Sequence, residues 1–587
     1  MTADEPLWAA RFRAPRITLP GWAIEAPQRC MYASTATGVV ELYTWDRDTD
    51  TQRQATDRPY GTYIGALDPS GEHLWWFADS DGDEWGTWMR QPFEGGEAIP
   101  ALPGLDAGYP AGLAIGSGVV VAGRSTDTGT AIHLVREGYE FKLYESEHDA
   151  FVGGLSRDES LLCLAHAERG DSRHRALRVV QLEDGTPIGE LWDGPGKDLS
   201  PSGFAPIKGD TRLLVNHERY GRPQLLIWDP VAGTEDELSI DLPGDVDADW
   251  CPDGYTLLIS HDYAARTELY RYDITFRELS RVDTPPGVVS GATARPDGTI
   301  EFAWSSSASP PVIRSSAGAV LLRTPGEPPP DSVSVEDIWI DGPGGRVHAL
   351  MARPAHLLPP YSAIFALHGG PDLADDDAFR PRRAAWVDAG YCVVHVNYRG
   401  SAGYGSAWRD ALEGRPGLTE LEDVFAVRDW VVGHHLVNAQ RCVIAGGSWG
   451  GYLSLLGLGT RPELWAAGIA AGPIANYLAA YEEEMEPLRS FDRAIFGGSP
   501  DEVRESYVRS SPISYIEKVD APVLILAGTN DPRCPIGQVD SYVARLEELG
   551  KEHEVYRYDA GHGSLVVEEQ IRQMQVEIDF ARRHCLP

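Results

Sequence analysis

Residues Arg441 to Leu453 read R-C-V-I-A-G-G-S-W-G-G-Y-L. An apolar run that passes through paired glycines into a serine, and then into a helix-like segment, is the strand-turn-helix setting of a nucleophile elbow. The five residues Gly446-Gly447-Ser448-Trp449-Gly450 supply it. Such a turn needs small neighbours, because the serine is held in a strained conformation with backbone packed closely on both sides. Ser448 is therefore the candidate nucleophile. In a chain with 62 glycines a G-x-S-x-G pattern also arises by chance, so its surroundings must carry the assignment.

An α/β-hydrolase places its acid and then its histidine after the serine. Residues Ala521 to Pro535, A-P-V-L-I-L-A-G-T-N-D-P-R-C-P, form a buried-strand pattern ending in a turn that carries Asp531. A helical stretch follows, and then H-E-V-Y-R-Y-D-A-G-H-G, an alternating strand that delivers His562 in a glycine-flanked loop. The intervals, 83 residues from Ser448 to Asp531 and 31 more to His562, leave room for a strand and a helix between each pair. Asp559 is a weaker acid candidate, because it shares the loop of His562 and an orienting carboxylate approaches the imidazole from a separate strand. His434 and His435 read as the end of a surface helix.

The oxyanion site has its own signature. Ser362 to Pro371, S-A-I-F-A-L-H-G-G-P, is an apolar strand breaking into a His-Gly-Gly loop. The amides of Gly370 and Trp449 are the expected oxyanion donors, and His368 reads as a structural loop residue.

Upstream the pattern differs. Turn signals recur near Pro69, Gly116, Arg157, Ile207, Pro252 and Pro296, spaced about 41 to 50 residues apart, and each precedes a short strand pattern. That period is expected of four-stranded propeller blades. With M-Y-A-S-T-A-T-G-V-V-E-L-Y-T-W as an opening blade, the count is seven. A β-sandwich with similar turns is the alternative. The proline-rich stretch Leu321 to Val333 reads as a linker, after which strands alternate with helices. The expected organisation is an N-terminal segment, 1–27, folding back on the hydrolase domain; a seven-bladed β-propeller, 28–325; and an α/β-hydrolase domain, 335–587.

Composition excludes several classes. A net charge of −37 argues against nucleic acid or an anionic membrane surface as partner. No run of 18 apolar residues is present, the first residues do not read as a secretory signal, and seven scattered cysteines lack metal-ligand spacing. These features indicate a cytoplasmic chain of free thiols, with no metal and no cofactor. Homo-oligomerisation is left open.

At this point the chain resembles the prolyl oligopeptidase family of serine peptidases, most closely its acylaminoacyl-peptidase branch. The motifs that carry the resemblance are H-G-G-P at His368, N-Y-R-G-S-A-G-Y-G at Asn397, G-G-S-W-G-G-Y at Gly446, N-D-P-R-C-P at Asn530 and G-H-G at Gly561. The resemblance implies a propeller capping the hydrolase, a triad of Ser448, Asp531 and His562, and a substrate-carbonyl role for Arg533, for which a surface salt bridge is the competing reading. It also places part of the specificity pocket in the segment after the elbow helix, where Tyr477, Tyr481 and Phe491 are expected to form an aromatic wall. Glu482 to Glu484 and Glu486 offer a substrate ammonium a counter-charge, although a solvated helix face is the favoured reading, and Asp375 to Asp377 read as a solvated loop. A double-glutamate motif for gripping a free amino terminus is not clear, although the acidic stretch Asp79 to Glu84 bears on it.

The expected activity is hydrolysis of peptide or amide bonds in short acylaminoacyl, aminoacyl or oligopeptide substrates, through an acyl-enzyme. An esterase or amidase for small acyl or aminoacylated compounds is the nearest alternative. A propeller scaffold with a vestigial hydrolase domain is the second.

Overall fold

Each of the six turn signals closes the hairpin between the first and second strands of a four-stranded antiparallel sheet. At Pro252 the chemistry is explicit. Asp253 Oδ1 accepts from the amides of Tyr255 and Thr256, both at 2.8 Å, and Gly254 takes the left-handed conformation at φ +72°. This aspartate-glycine turn stops one strand and starts the next. The computed structural model describes residues 6–322 and 326–586, so the expected boundaries at 1, 325 and 587 lie outside the described residues.

Seven such sheets follow one another over 21–54, 65–100, 109–146, 150–191, 199–238, 245–282 and 288–322, and form a seven-bladed propeller. Every blade is a simple meander, and the ring closes by packing rather than by a shared strand. Cys30, Tyr32 and Trp45 of the first blade share a buried cluster with Ala303, Ile313 and Leu322 of the last. Trp22 adds a specific lock: Arg295 lies 3.8 Å over its ring, and its indole N–H donates to Glu301 at 2.7 Å.

The C-terminal half is one eight-stranded sheet. Its strands, in chain order, are β1 (Glu336–Gly342), β2 (Gly345–Ala352), β3 (Tyr361–Leu367), β4 (Cys392–Asn397), β5 (Val437–Gly447), β6 (Ala467–Ala471), β7 (Val523–Gly528) and β8 (His553–Tyr558). Their spatial order is β1-β2-β4-β3-β5-β6-β7-β8, parallel from β4 onward. Near-continuous apolar strands follow from helices covering both faces. Ile364, Val393, Val443 and Leu524 pack on one face, whereas their next neighbours Phe365, Val394, Ile444 and Ile525 pack on the other.

The helix Leu7–Arg13 belongs to the first of these layers. Trp8 and Phe12 are buried there beside Trp386 and Ile578, and Arg11 is ion-paired with Asp388. The propeller rests on the carboxyl edge of the sheet. Val40 donates its amide to Leu565 at 3.0 Å and Val567 donates to Gly38 at 2.8 Å. Arg173 reaches from the propeller to Asp372 and Asp410, each at 3.0 Å. Among the described residues no helix is long and apolar enough to cross a membrane.

Candidate active site

Register places the candidate residues on one edge. Leu367 of β3 pairs with Gly446 of β5, Gly447 pairs with Ala471 of β6, and Gly528 of β7 pairs with Tyr558 of β8. The loops that leave these strand ends carry Gly369, Ser448, Gly472, Asp531 and His562. Ser448 has φ +55° and ψ −121°, a conformation that costs a non-glycine residue ~1–3 kcal/mol. Its neighbours cannot be larger. A Cβ on Gly450 would lie 2.1 Å from the Leu367 carbonyl oxygen, and one on Gly446 would lie 2.4 Å from the Gly450 carbonyl carbon. The Ser448 amide is held by the Ala471 carbonyl at 2.8 Å.

Asp531 is 6% exposed and fully engaged. Its Oδ2 lies 2.8 Å from His562 Nδ1, while its Oδ1 accepts from the amides of Arg533 and Cys534, each at 2.9 Å. Gly472, at φ +52°, lies against this contact, with a Cβ there falling 3.6 Å from Asp531 Oδ2 and 3.5 Å from His562 Cε1. Ser448 and His562 line the same cavity. Asp559 turns elsewhere, accepting from Asn530 at 3.1 Å and Tyr60 at 3.3 Å.

The His-Gly-Gly loop passes beside the nucleophile. A Cβ on Gly369 would approach Ser448 Cβ to 3.4 Å and Oγ to 3.9 Å. Trp449 opens the helix Trp449–Thr460, so its amide is among the first-turn donors that an α-helix leaves without an internal acceptor. His368 has both ring nitrogens engaged, by the Gly369 carbonyl and the Ser401 hydroxyl, each at 2.8 Å, and burial lowers its pKa.

The Trp449 indole N–H donates at 3.1 Å to Glu420, whose carboxyl is completely buried and pushed up to about 8 by that burial. A carboxyl whose folded pKa is raised holds an extra proton in the native state between about pH 4.5 and 8. Stability from this group is therefore present at low pH and lost as pH rises through that window, by up to about 5 kcal/mol. Glu420→Gln should flatten the decline of Tm between pH 5 and 9. A decline as steep as that of the unsubstituted protein would show that Glu420 is not its source.

The expected aromatic wall is revised. Tyr477 is 1% exposed and belongs to the core, edge-on to Tyr452 at 5.1 Å and to Phe496 at 5.0 Å. It opens the helix Tyr477–Glu483 on the face shared with buried Ala480, which points it inward. Tyr481 is half-buried, with its hydroxyl accepting from Arg493 at 2.9 Å. Phe491 meets Trp449 edge-on at 6.3 Å and lines a cavity between the domains with Arg173.

Two acidic runs also differ from a solvated reading. Glu484 is buried beside Asp492, and burial pushes both carboxyls up; Glu486 pairs with Arg493 at 2.5 Å, leaving Glu482 and Glu483 in solvent. Asp375 lies 3.0 Å from His395, and Asp377 accepts from Ser307 of the propeller at 2.5 Å. The first run is drawn in by partners on the next helix, within eight residues, and the second by partners 20 and 70 residues away.

Arg533 makes a two-pronged ion pair with Glu84 of the second blade, Nε and Nη2 donating at 2.6 and 2.9 Å. Glu84, Asp79 and Tyr63 then line a cavity of about 500 Å³ with Arg533 and His562. These propeller residues were missed as site residues. The only local signal was the acidic stretch from Asp79 to Glu84, because a loop between two blade strands does not reveal which domain it faces.

Comparison with known proteins agrees with this architecture. Residues 377–586 match the model of the prolyl oligopeptidase family. A Caenorhabditis elegans protein named dipeptidyl peptidase family member 6 is 31% identical over 218 residues, covering 35% of this chain and 28% of that protein. Acylamino-acid-releasing enzyme 1 of rice, Oryza sativa subsp. japonica, is 26% identical over 345 residues, covering 52% of this chain and 44% of its own length. The matched segments thus span less than half of these relatives. Over the whole architecture, a Mycobacterium tuberculosis puromycin-hydrolysing peptidase superposes with a TM-score of 0.81 at 19% identity, covering 99% of this chain and 96% of that one. An elbow, an acid and a histidine stand on one edge of the sheet under a seven-bladed propeller, and residues 377–586, which carry all three, are similar to the prolyl oligopeptidase family.

Proposed function

We propose that this protein is a serine peptidase that hydrolyses amide bonds of short peptides through an acyl-enzyme. The observation that carries the reading is the 2.8 Å contact between Asp531 and His562, with His562 and Ser448 lining one cavity at the edge of the sheet that the propeller covers. His562 takes the Ser448 proton as Oγ attacks the carbonyl. Asp531 fixes the imidazole tautomer and stabilises the imidazolium, and the amides of Gly370 and Trp449 hold the oxyanion. Collapse of the tetrahedral intermediate breaks the C–N bond, and His562 returns the proton to the departing amine. Water activated by His562 then releases the acyl group.

A second reading is favoured by the structural neighbour from Mycobacterium tuberculosis, a puromycin-hydrolysing peptidase: the substrate is a small aminoacylated compound rather than a peptide. Matched aminoacyl anilides, short peptides and short-chain esters separate these readings. Peptide cleavage dependent on Ser448 supports the first, and turnover of anilides and esters alone supports the second. The seven cysteines, all buried and unpaired, support a reducing, cytoplasmic location.

Arg533 is the proposed hold on a substrate carbonyl, positioned by Glu84. Arg533→Ala should cost about 1.5 to 3 kcal/mol in kcat/KM on peptides, the scale of a charge-assisted hydrogen bond, and much less on small esters that do not reach the guanidinium. An equal loss on both substrate types would assign Arg533 to the salt bridge alone.

A further inference from the structure

The active centre lies between two cavities of opposite charge. On one side, Asp79, Glu84 and Asp559 outnumber Arg533. On the other, a cavity of about 580 Å³ reaches Ser448 and is walled by Arg16, Arg380, Arg382 and Arg383, against Asp375 and Glu577. His562 lines both. A cationic excess beside the nucleophile runs against a chain of net charge −37.

The four arginines are not equivalent. Arg382 is ion-paired with Glu577, and Arg380 with Asp376 at 2.7 Å. Arg383 is buried and bonded through all three of its nitrogens, donating to the carbonyls of Ala378 at 2.9 Å and Asp376 at 2.7 Å and to His395 at 3.0 Å. Arg16 has no acidic partner among the described residues; its guanidinium donates only to the Gln570 side-chain oxygen, at 3.3 Å. Its backbone is nevertheless fixed. The Arg16 amide donates to Thr35 Oγ1 at 2.9 Å, and its carbonyl accepts from the Thr35 amide at 3.1 Å. Arg16 thus stands where the chain crosses from the helix Leu7–Arg13 to the first blade, an anchored cation with unused donors facing a site of small-ligand size.

We infer that this cavity is a subsite for the free carboxylate of the departing peptide, with Arg16 as the residue that binds it. The inference rests on the peptidase reading above. A short peptide is itself a dipole, with an ammonium at the end of its acyl half and a carboxylate at the end of its leaving half. The charge order across Ser448 and His562 matches that direction, acidic where Arg533 is proposed to hold the acyl half and basic on the other side. A carboxylate there would supply the planar acceptor pair that a guanidinium fork fits, so Arg16 acts as a specificity determinant for carboxyl-terminal substrates.

The test uses pairs of short peptides identical except for a free carboxylate or a carboxamide at the C-terminus, cleaved close to that end. The unsubstituted protein should prefer the carboxylate by about tenfold or more in kcat/KM, as for loss of one charge-assisted contact. Arg16→Gln should bring the ratio towards one, and Arg16→Lys should restore part of it. A ratio near one in the unsubstituted protein, or a preference that persists in Arg16→Gln, overturns the inference. Product inhibition gives an independent reading should Arg16→Gln not fold. A free dipeptide should inhibit the unsubstituted enzyme more strongly than its amide, and equal inhibition also overturns the subsite. Failure of the peptidase reading looks different: neither peptide is cleaved, although Ser448 reacts with a fluorophosphonate.

Discussion

Ser448→Ala should reduce turnover to less than about a thousandth of the unsubstituted rate while leaving Tm nearly unchanged. In the proposed mechanism the Ser448 hydroxyl provides the electron pair that attacks the carbonyl. The residual rate would come from substrate binding and the oxyanion donors alone. Stability should be indifferent because alanine keeps the Cβ that the turn already tolerates at φ +55°, and the 2.8 Å bond from the residue's amide to Ala471 is retained. Steady-state hydrolysis of a peptide anilide, together with fluorophosphonate labelling and thermal melts, measures all three. Retained turnover above that level would remove Ser448 from the nucleophile role.

Asp531→Asn should be nearly as damaging, with kcat falling on the order of 10⁴-fold, for a reason visible in the hydrogen bonds. Oδ1 is committed to the two amides of Arg533 and Cys534, so an asparagine would keep its carbonyl there and turn its NH₂ towards His562. His562 Nδ1 would then have to accept, and the proton would move to Nε2, the nitrogen required to receive the serine proton. Fold and binding should persist, so KM should change far less than kcat. A tenfold effect or smaller would mean that another acid orients His562, and Asp559, already held by Asn530 and Tyr60, would be the residue to substitute next.

Local chemistry was sufficient to select the serine, acid and histidine that the fold gathers on one edge. Ser448 and Asp531 each follow an apolar strand and His562 an alternating one, and parallel strands bring their ends to one edge. The blades were equally legible, because an aspartate-glycine turn such as Asp253-Gly254 is built from side-chain and backbone preferences within four residues. What surrounds these three candidates was not legible. Tyr477 reads as a pocket aromatic until Tyr452, Phe496 and Tyr507 enclose it, and Glu484 reads as solvated until Asp492 lies beside it. Glu84 and Arg16 lie 449 and 517 residues before Arg533, and each meets the site only because the propeller and the helix Leu7–Arg13 dock on the same domain. Strand ends and turns follow from short-range covalent geometry and hydrogen bonding. The partners of a charge follow from which distant surfaces pack together, and only the tertiary structure decides that.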